Sequence, residues 1–309
     1  MDFYQHTTAA NRNAAITAIR DFLTTAAPAG PEWVEDASYL NGDHPGELFI
    51  RNSANTAYLY FQSSGSAHIY VSTVGHSAAE AGFGDGTGPS LTTMVSAYPQ
   101  GDGQLYLPDL TDGQSGALHL FADSDRVVVC VESEPSGVHT ICYAGTYTPL
   151  CNVADDANPV AVVSNGSGVS ESTTAVDWQY QPRVHNFPNT VIKRGVGGRK
   201  AVRFSTGTAS PLAAIPSTDT PMPTNDRAAG NQVFTVAQMV LIGTYGAGEG
   251  LSLSGTDGTD GILRTSDALK SGEEVTEGVS TYFCFSAGHY PHITPARLLI
   301  GPIGTEIAP

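Results

Sequence analysis

Short apolar runs alternate with clusters of glycine, asparagine, aspartate and serine along most of the chain. The longest run, Val127 to Val131, is almost entirely valine, and after a Pro-Ser-Gly turn it is followed by Val138 to Tyr143. The valine run predicts a fully buried strand, whereas the alternation in Val138 to Tyr143 predicts one buried and one wetter face. Strand-sized runs between turn residues predict a mainly β fold, as a β-sandwich or barrel-like domain.

Further strand-sized runs occur on both sides of this predicted hairpin, which begins with Leu118 to Phe121. In chain order they are Leu48–Arg51, Ala57–Phe61, His68–Thr73, Leu91–Tyr98, Gln104–Leu107, Val160–Val163, Trp178–Tyr180, Val191–Arg194, Ala201–Phe204, Val233–Gln238, Met239–Thr244, Leu251–Leu253, Thr281–Phe285 and Arg297–Ile300. The polar, low-complexity stretch from Ser164 to Thr174 predicts a linker. It divides the chain into a helix plus β domain, residues 1–163, and a second β-rich region, residues 164–309, which can be continuous with the first sheet.

A short N-terminal amphipathic helix is predicted from Thr7 to Ala26, with Thr7 or Thr8 as its N-cap and Pro28 after its end. Its apolar residues fall on one stripe because they recur at helical spacing. The stripe can pack on the chain's own β domain or on a neighbouring subunit. Its members are candidate interface residues: Ile16, Ile19, Phe22 and Leu23.

The net charge of the chain indicates which kinds of partner it can bind. The chain has 30 acidic and 14 basic residues, a formal net charge of −16, and its only lysines are Lys193, Lys200 and Lys270. Many carboxylates with few lysines favour a halophilic source, in which salt screens the repulsion; the alternative is an ordinary acidic surface that keeps the protein soluble. Nucleic-acid binding needs clustered basic residues and is not expected. No apolar window is long enough for a membrane span, and the polar N-terminus predicts no export signal.

The one basic cluster surrounds a glycine-rich turn. It is either a hairpin with a solvated rim or a docking patch for an acidic neighbouring subunit. Its residues complete the candidate interface: Lys193, Arg194, Arg199 and Lys200.

No constellation of residues predicts catalysis, so the chain is not expected to be an enzyme. A G-x-S-x-G nucleophile motif is absent, and the four cysteines show no zinc spacing. Cys130 and Cys142 lie on the two hairpin strands and can face each other, but buried free thiols are the stronger expectation. No cofactor is predicted, although Asp-Gly loops leave a structural cation open. The weak candidate ligands are Asp109, Asp112, Asp257 and Asp260.

One pattern resembles a known family. Asp125-Arg126 precedes the valine run, and Tyr143, Gly145 and Pro149 form a Y-x-G-x-x-x-P motif, after which Pro159 leads an apolar strand. Upstream, Ile19 to Leu23 precedes Trp33 and a strand from Gly46 to Ile50. Over residues 10 to 165 this resembles poorly annotated, tail- or baseplate-associated structural proteins of tailed phages and haloarchaeal tailed viruses.

The resemblance implies a structural component of a tailed virus particle, most simply in the tail or baseplate. It carries no catalytic residues. The partners it implies are copies of the chain and other virion proteins, in a homo-oligomer with ring or trimeric symmetry, and the implied location is the virion, assembled in the host cytoplasm. Two alternatives stay open: a glycan- or receptor-binding β module, and a capsid or neck decoration protein.

Overall fold

The computed structural model describes residues 1–35, 46–63, 68–73, 103–107, 116–133, 138–149, 160–164, 190–195, 198–203, 214–215, 236–238, 240–242, 250–252, 260–265, 272–287 and 296–309. These residues are mainly β, as predicted, with a single helix in the described ranges. The elements are β1 (Phe3–Ala9), α1 (Arg12–Leu23), β2 (Val34–Glu35), β3 (Glu47–Arg51), β4 (Tyr58–Ser63), β5 (His68–Thr73), β6 (Gly103–Tyr106), β7 (Gly116–Ala122), β8 (Arg126–Ser133), β9 (Val138–Thr146), β10 (Thr148–Pro149), β11 (Val160–Ser164), β12 (Thr190–Gly195), β13 (Gly198–Arg203), β14 (Ala214–Ile215), β15 (Val236–Gln238), β16 (Val240–Ile242), β17 (Gly250–Ser252), β18 (Gly261–Thr265), β19 (Glu273–Glu277), β20 (Ser280–Ala287), β21 (Ala296–Gly301) and β22 (Thr305–Glu306).

The central layer is an eight-stranded sheet in the order β13-β12-β11-β9-β8-β7-β1-β22. Its middle is the predicted hairpin, in which β8 pairs antiparallel with both β7 and β9. The sheet takes strands from both sides of the predicted linker, since β12, β13 and β22 follow residue 164. Part of the second β-rich region, namely β12, β13 and β22, therefore continues the central sheet, while its other strands belong to other sheets.

The helix is present, but it begins later than predicted. Asn11 is its N-cap, and the side-chain oxygen of Asn11 accepts a hydrogen bond from the backbone N–H of Ala14 at 3.0 Å. Thr7 and Thr8 are not caps, because they belong to β1, which pairs with β7 along its whole length. The helix boundary is therefore decided by a strand pairing with residues more than a hundred positions away.

One face of the central sheet is covered by α1 and by a five-stranded sheet in the order β2-β3-β4-β5-β6. Apolar residues alternate along each strand, so every second side chain enters this core. Those contributed by the central hairpin are Leu118, Leu120, Val127, Val129, Val131, Cys142 and Ala144.

The opposite face of the central sheet is covered by a second five-stranded sheet, in the order β15-β18-β21-β20-β19. Here Phe121, Val128 and Tyr143 pack against residues of β18, β20 and β21 such as Phe285 and Ile300. The valine run is buried on both faces, as predicted. The wetter face predicted for β9 is wrong, because both faces of the strand are covered: Thr140 and Cys142 on one face and Ile141 and Tyr143 on the other are at most 2% exposed.

Cys130 and Cys142 lie on opposite faces of this hairpin. Cys130 pairs in register with Ile141, and Cys142 pairs with Val129, so the two sulfur atoms enter different cores. Both are free and buried, which confirms the expected free thiols.

Most predicted strands that fall within the described residues are present. Those around Leu91–Tyr98 and Trp178–Tyr180 lie outside them, as does most of the predicted linker. Seven strands were not predicted: β1, β2, β10, β14, β18, β19 and β22.

Candidate functional site

The tight turn between β7 and β8 carries a buried polar cluster. Asp123 is 5% exposed, and its Oδ1 accepts hydrogen bonds from the backbone N–H groups of Asp125 at 2.9 Å and Arg126 at 2.8 Å. An aspartate that bonds to backbone two and three residues ahead stabilises the turn locally. The Asp123 carboxylate therefore shapes the turn before it contacts any other part of the chain.

Arg126 joins this turn to the C-terminal sheet. Its Nε donates to Asp123 Oδ2 at 2.7 Å, and its two terminal nitrogens donate to the carboxylate of Asp260 at 2.6 and 3.3 Å. The Arg126 side chain is only 14% exposed. Burial opposes its charge, but the hydrogen bond to Asp260 and the attraction of Asp123 outweigh burial and raise the pKa of Arg126. The guanidinium is thus a fixed cation between two carboxylates.

Asn52 and Trp33 join the same turn to the five-stranded sheet of β2 to β6. Asn52 is fully buried, and its Nδ2 donates to Asp125 Oδ1 at 2.7 Å while its Oδ1 accepts from the backbone N–H groups of Thr56 and Ala57. Trp33, 2% exposed, donates from its indole nitrogen to the backbone oxygen of Asp123 at 2.8 Å. The turn therefore contacts all three layers: the helix-side sheet, the central sheet and the C-terminal sheet.

Gly145 and Tyr143 close the cluster from β9. Gly145 has φ +138 and pairs with Arg126, and a Cβ placed on it would lie 2.4 Å from the backbone oxygen of Asp125. The backbone of Thr146 donates to that same Asp125 oxygen at 3.0 Å. The Tyr143 hydroxyl donates to the backbone oxygen of Thr146. Only glycine fits at residue 145, because a side chain would collide with the turn.

We call this set the Arg126 junction: Trp33, Asn52, Asp123, Asp125, Arg126, Tyr143, Gly145 and Asp260. Four of its members, Asp125, Arg126, Tyr143 and Gly145, belong to the motif singled out in the sequence, and Trp33 belongs to the upstream part of the same pattern. Pro149 lies in β10, and Pro159 lies outside the described residues. Sequence reasoning missed Asp123 and Asn52, although Asp-Ser-Asp between two strands is a recognisable turn signal.

The junction is a network of paired charges and hydrogen bonds. Its central cation is paired with carboxylates on both sides, and its donors and acceptors are engaged with one another. No serine, cysteine or histidine nucleophile takes part in it. The arrangement holds three layers in one geometry.

Of the four aspartates predicted as weak candidate cation ligands, the structure describes only Asp260. Asp260 is in an ion pair with Arg126, and both of its carboxylate oxygens accept from the guanidinium, which corrects its assignment as a cation ligand. Asp109, Asp112 and Asp257 lie outside the described residues. Across the parts of the chain that are described, no group of three or more histidine, cysteine, aspartate or glutamate side chains is arranged to hold a metal ion.

The apolar helix stripe lies in the chain's own core. Its four residues are 0–2% exposed and pack in the core between the central sheet and the sheet of β2 to β6: Ile16, Ile19, Phe22 and Leu23. Of the two alternatives, packing on the chain's own β domain is the one found. Their assignment to an intersubunit interface is therefore corrected.

The basic cluster forms the hairpin β12–β13, in which Lys193 pairs with Lys200 and Arg194 with Arg199. The hairpin is confirmed at the level of the backbone. Its role in docking stays a prediction.

Two further observations concern chemistry elsewhere in the described residues. Burial raises the pKa of the Cys130 and Cys142 thiols, which disfavours the nucleophilic thiolate. No helix among the described segments has the length and apolar character needed to cross a membrane.

A scan against protein-family models and a search of curated proteins each found no match to this chain.

Proposed function

We propose that this chain is a structural component of a tailed virus particle, most simply of the tail or baseplate, that acts through subunit–subunit contacts and not through catalysis. The observation that carries the proposal is the Arg126 junction. The residues on which the family resemblance rests, Asp125, Arg126, Tyr143 and Gly145, all contribute to fixing the layers of the fold. Residues that hold the layers of a fold together suit a particle subunit, which must present the same surface many times.

We infer that the three described layers constitute a β-sandwich. Apolar side chains from both faces of the central sheet enter two separate cores, and each core is closed by a five-stranded sheet. A layered β-structure in which the described cysteines are free, with long polar connections, suits a protein that is assembled in the cytoplasm and then exposed in a particle. The partners of this proposal are other copies of the chain and other virion proteins, in a ring or a trimer.

The acidic composition supports a saline setting for this assembly. With a net charge of −16, copies of the chain repel one another in dilute buffer, and salt screens that repulsion. The proposal therefore includes a halophilic host.

The solution mass of the purified chain tests the proposal. Light scattering in dilute buffer and in multimolar salt should show a discrete oligomer in high salt and a smaller species in dilute buffer. A folded monomer across the whole salt range, at every accessible protein concentration, would contradict it.

A glycan- or receptor-binding module is the second candidate, and one observation favours it. The face of β3–β5 opposite the core that they share with α1 carries aromatic side chains, and the rings of His68 and Tyr70 stack there at 6.2 Å while remaining only half-buried. Phe49 and Tyr60 on the same face are 0% and 3% exposed, so they do not extend this pair into a platform. A glycan array tests this candidate: binding that is lost in Tyr70→Ala would place it ahead of assembly.

A further inference from the structure

Two of the sheets end in edge strands of opposite charge. β19 is the last strand of the C-terminal sheet, and β13 is the last strand of the central sheet. In the described parts of the chain, each pairs with one neighbour only, β20 and β12 respectively. An edge strand presents unpaired backbone groups and can accept another strand.

The sequences of these edges are complementary. β19 reads Glu-Glu-Val-Thr-Glu, and residues 199–203 of β13 read Arg-Lys-Ala-Val-Arg. Placed side by side in parallel from Glu273 and Arg199, the strands align three carboxylates with three cations around a central Val275–Ala201 pair. Opposite charges on adjacent strands stabilise pairing, whereas like charges oppose it. β19 therefore disfavours pairing with itself, as does β13, and each favours the other.

The backbone geometry of β19 permits this alignment. Glu277 and Ser280 pair across the two-residue turn Gly278-Val279, so the ladder to β20 uses alternate residues beginning at Glu277. The backbone groups of Glu274 and Thr276 consequently point away from β20. Both of these residues also have exposed side chains.

The backbone of β13 has the matching alternation. Gly195 and Gly198 lie directly opposite each other with two residues between them in sequence, so Lys200 and Val202 bond to β12. The groups of Arg199, Ala201 and Arg203 point to the open edge. In a parallel pair of strands, the backbone N–H and C=O of one residue bond to the two residues on either side of the residue directly opposite it. Thr276 would lie opposite Val202 and bond to Ala201 and Arg203, while Glu274 would lie opposite Lys200.

We propose that β13 of one copy of this chain adds in parallel to β19 of a second copy, joining the central sheet of one molecule to the C-terminal sheet of the next. The inference deepens the proposed function and rests on it, because it names the surfaces through which the copies meet. The contact is head-to-tail, so repetition closes into a ring or extends as a filament, depending on the rotation per copy.

Single prolines at the two open edges provide the test. Thr276→Pro and Ala201→Pro each remove an N–H that points to the open edge and leave the bonds to β20 and β12 in place. Thr276→Val and Ala201→Val are the matched controls, since both keep the N–H. Each proline variant alone should be monomeric in salt that assembles the wild type. A mixture of the two should give a dimer and nothing larger, because one partner supplies an intact β13 and the other an intact β19.

Charge reversal gives a second test that does not depend on proline. Measured at the lowest salt at which the wild type assembles, Glu274→Lys and Lys200→Glu should each weaken association roughly fivefold to tenfold. The double variant should recover most of this loss. Glu35→Lys, at an exposed position of β2, makes the same change in net charge as Glu274→Lys and should leave association unchanged.

These experiments distinguish failure of the β13–β19 contact from failure of the proposed assembly role. Proline variants that still form the wild-type oligomer, with no rescue by the charge-swapped double variant, would overturn the β13–β19 contact and leave the proposed assembly role standing. A wild-type chain that is monomeric in all salts would overturn both.

Discussion

In the Arg126 junction, the carboxylates of Asp123 and Asp260 bind the same guanidinium, and we expect their removal to lower the free energy of unfolding by different amounts. Asp123→Ala removes the acceptor of two backbone N–H groups and one of the two charges paired with Arg126. Asp260→Ala removes only the second charge, and its side chain is 30% exposed, whereas that of Asp123 is 7% exposed. The first change therefore leaves more buried polar atoms without a partner.

The magnitudes follow from burial. Removing one partner of a buried ion pair costs about 3–5 kcal/mol, and this range applies to Asp123→Ala. For Asp260→Ala the expected loss is about 1–2 kcal/mol, because water reaches the site and Arg126 keeps its bonds to Asp123. Asp123→Asn keeps an oxygen for the backbone N–H groups and should fall between these two values.

Urea unfolding, followed by circular dichroism at constant high salt, measures these differences. The change should appear in the midpoint, with the slope against urea unchanged. The reasoning is refuted if Asp123→Ala costs less than about 1 kcal/mol, or no more than Asp260→Ala, since the order follows directly from burial and hydrogen bonding.

Three further predictions concern the backbone, the helix and alkaline pH. Gly145→Ala should cost about 3 kcal/mol or more or prevent folding, whereas Gly278→Ala, with φ +61 and open space around it, should cost about 1–2 kcal/mol in the same urea assay. Asn11→Ala should cost about 1 kcal/mol through loss of the helix cap, and Asn11→Asp should restore it; equal stability of all three chains would contradict the cap. Burial raises the pKa of Cys130 and of Tyr143 above their ordinary values of 9.0 and 10.0, so the unfolded chain releases protons that the folded chain retains. The contribution of these two groups to the free energy of unfolding should thus be fully present below about pH 9 and decrease as the pH rises above it. A urea midpoint that rises between about pH 8 and pH 10.5 would contradict this direction.

The elements that could be predicted from sequence are those whose signal is local. The valine run of β8 is buried on both faces because five consecutive apolar residues leave no polar face, whatever the rest of the chain does. The amphipathic helix is likewise readable from spacing, although its first residue is not. Thr7 and Thr8 suit a helix cap equally well, and only the pairing of β1 with β7 assigns them to a strand.

The elements that could not be predicted depend on distant partners. β9 looks half-exposed because Thr140 alternates with apolar residues, yet Thr140 is 2% exposed once the neighbouring layers are in place. Asp260 sits in an Asp-Gly pattern typical of cation loops, and its real partner, Arg126, is 134 residues away. β19 is rich in glutamate and carries little strand propensity, so its place at a sheet edge follows from the hairpin with β20.

Co-sedimentation with virus particles shows whether the chain belongs to the virion. Particles from a culture that expresses the chain would be purified on a density gradient, and each fraction analysed by quantitative mass spectrometry. We expect the chain to peak with the particles, at many copies per particle, and to stay with them after a salt wash. Recovery of the chain only at the top of the gradient, with none in the particle fractions, would contradict a structural role in the virion.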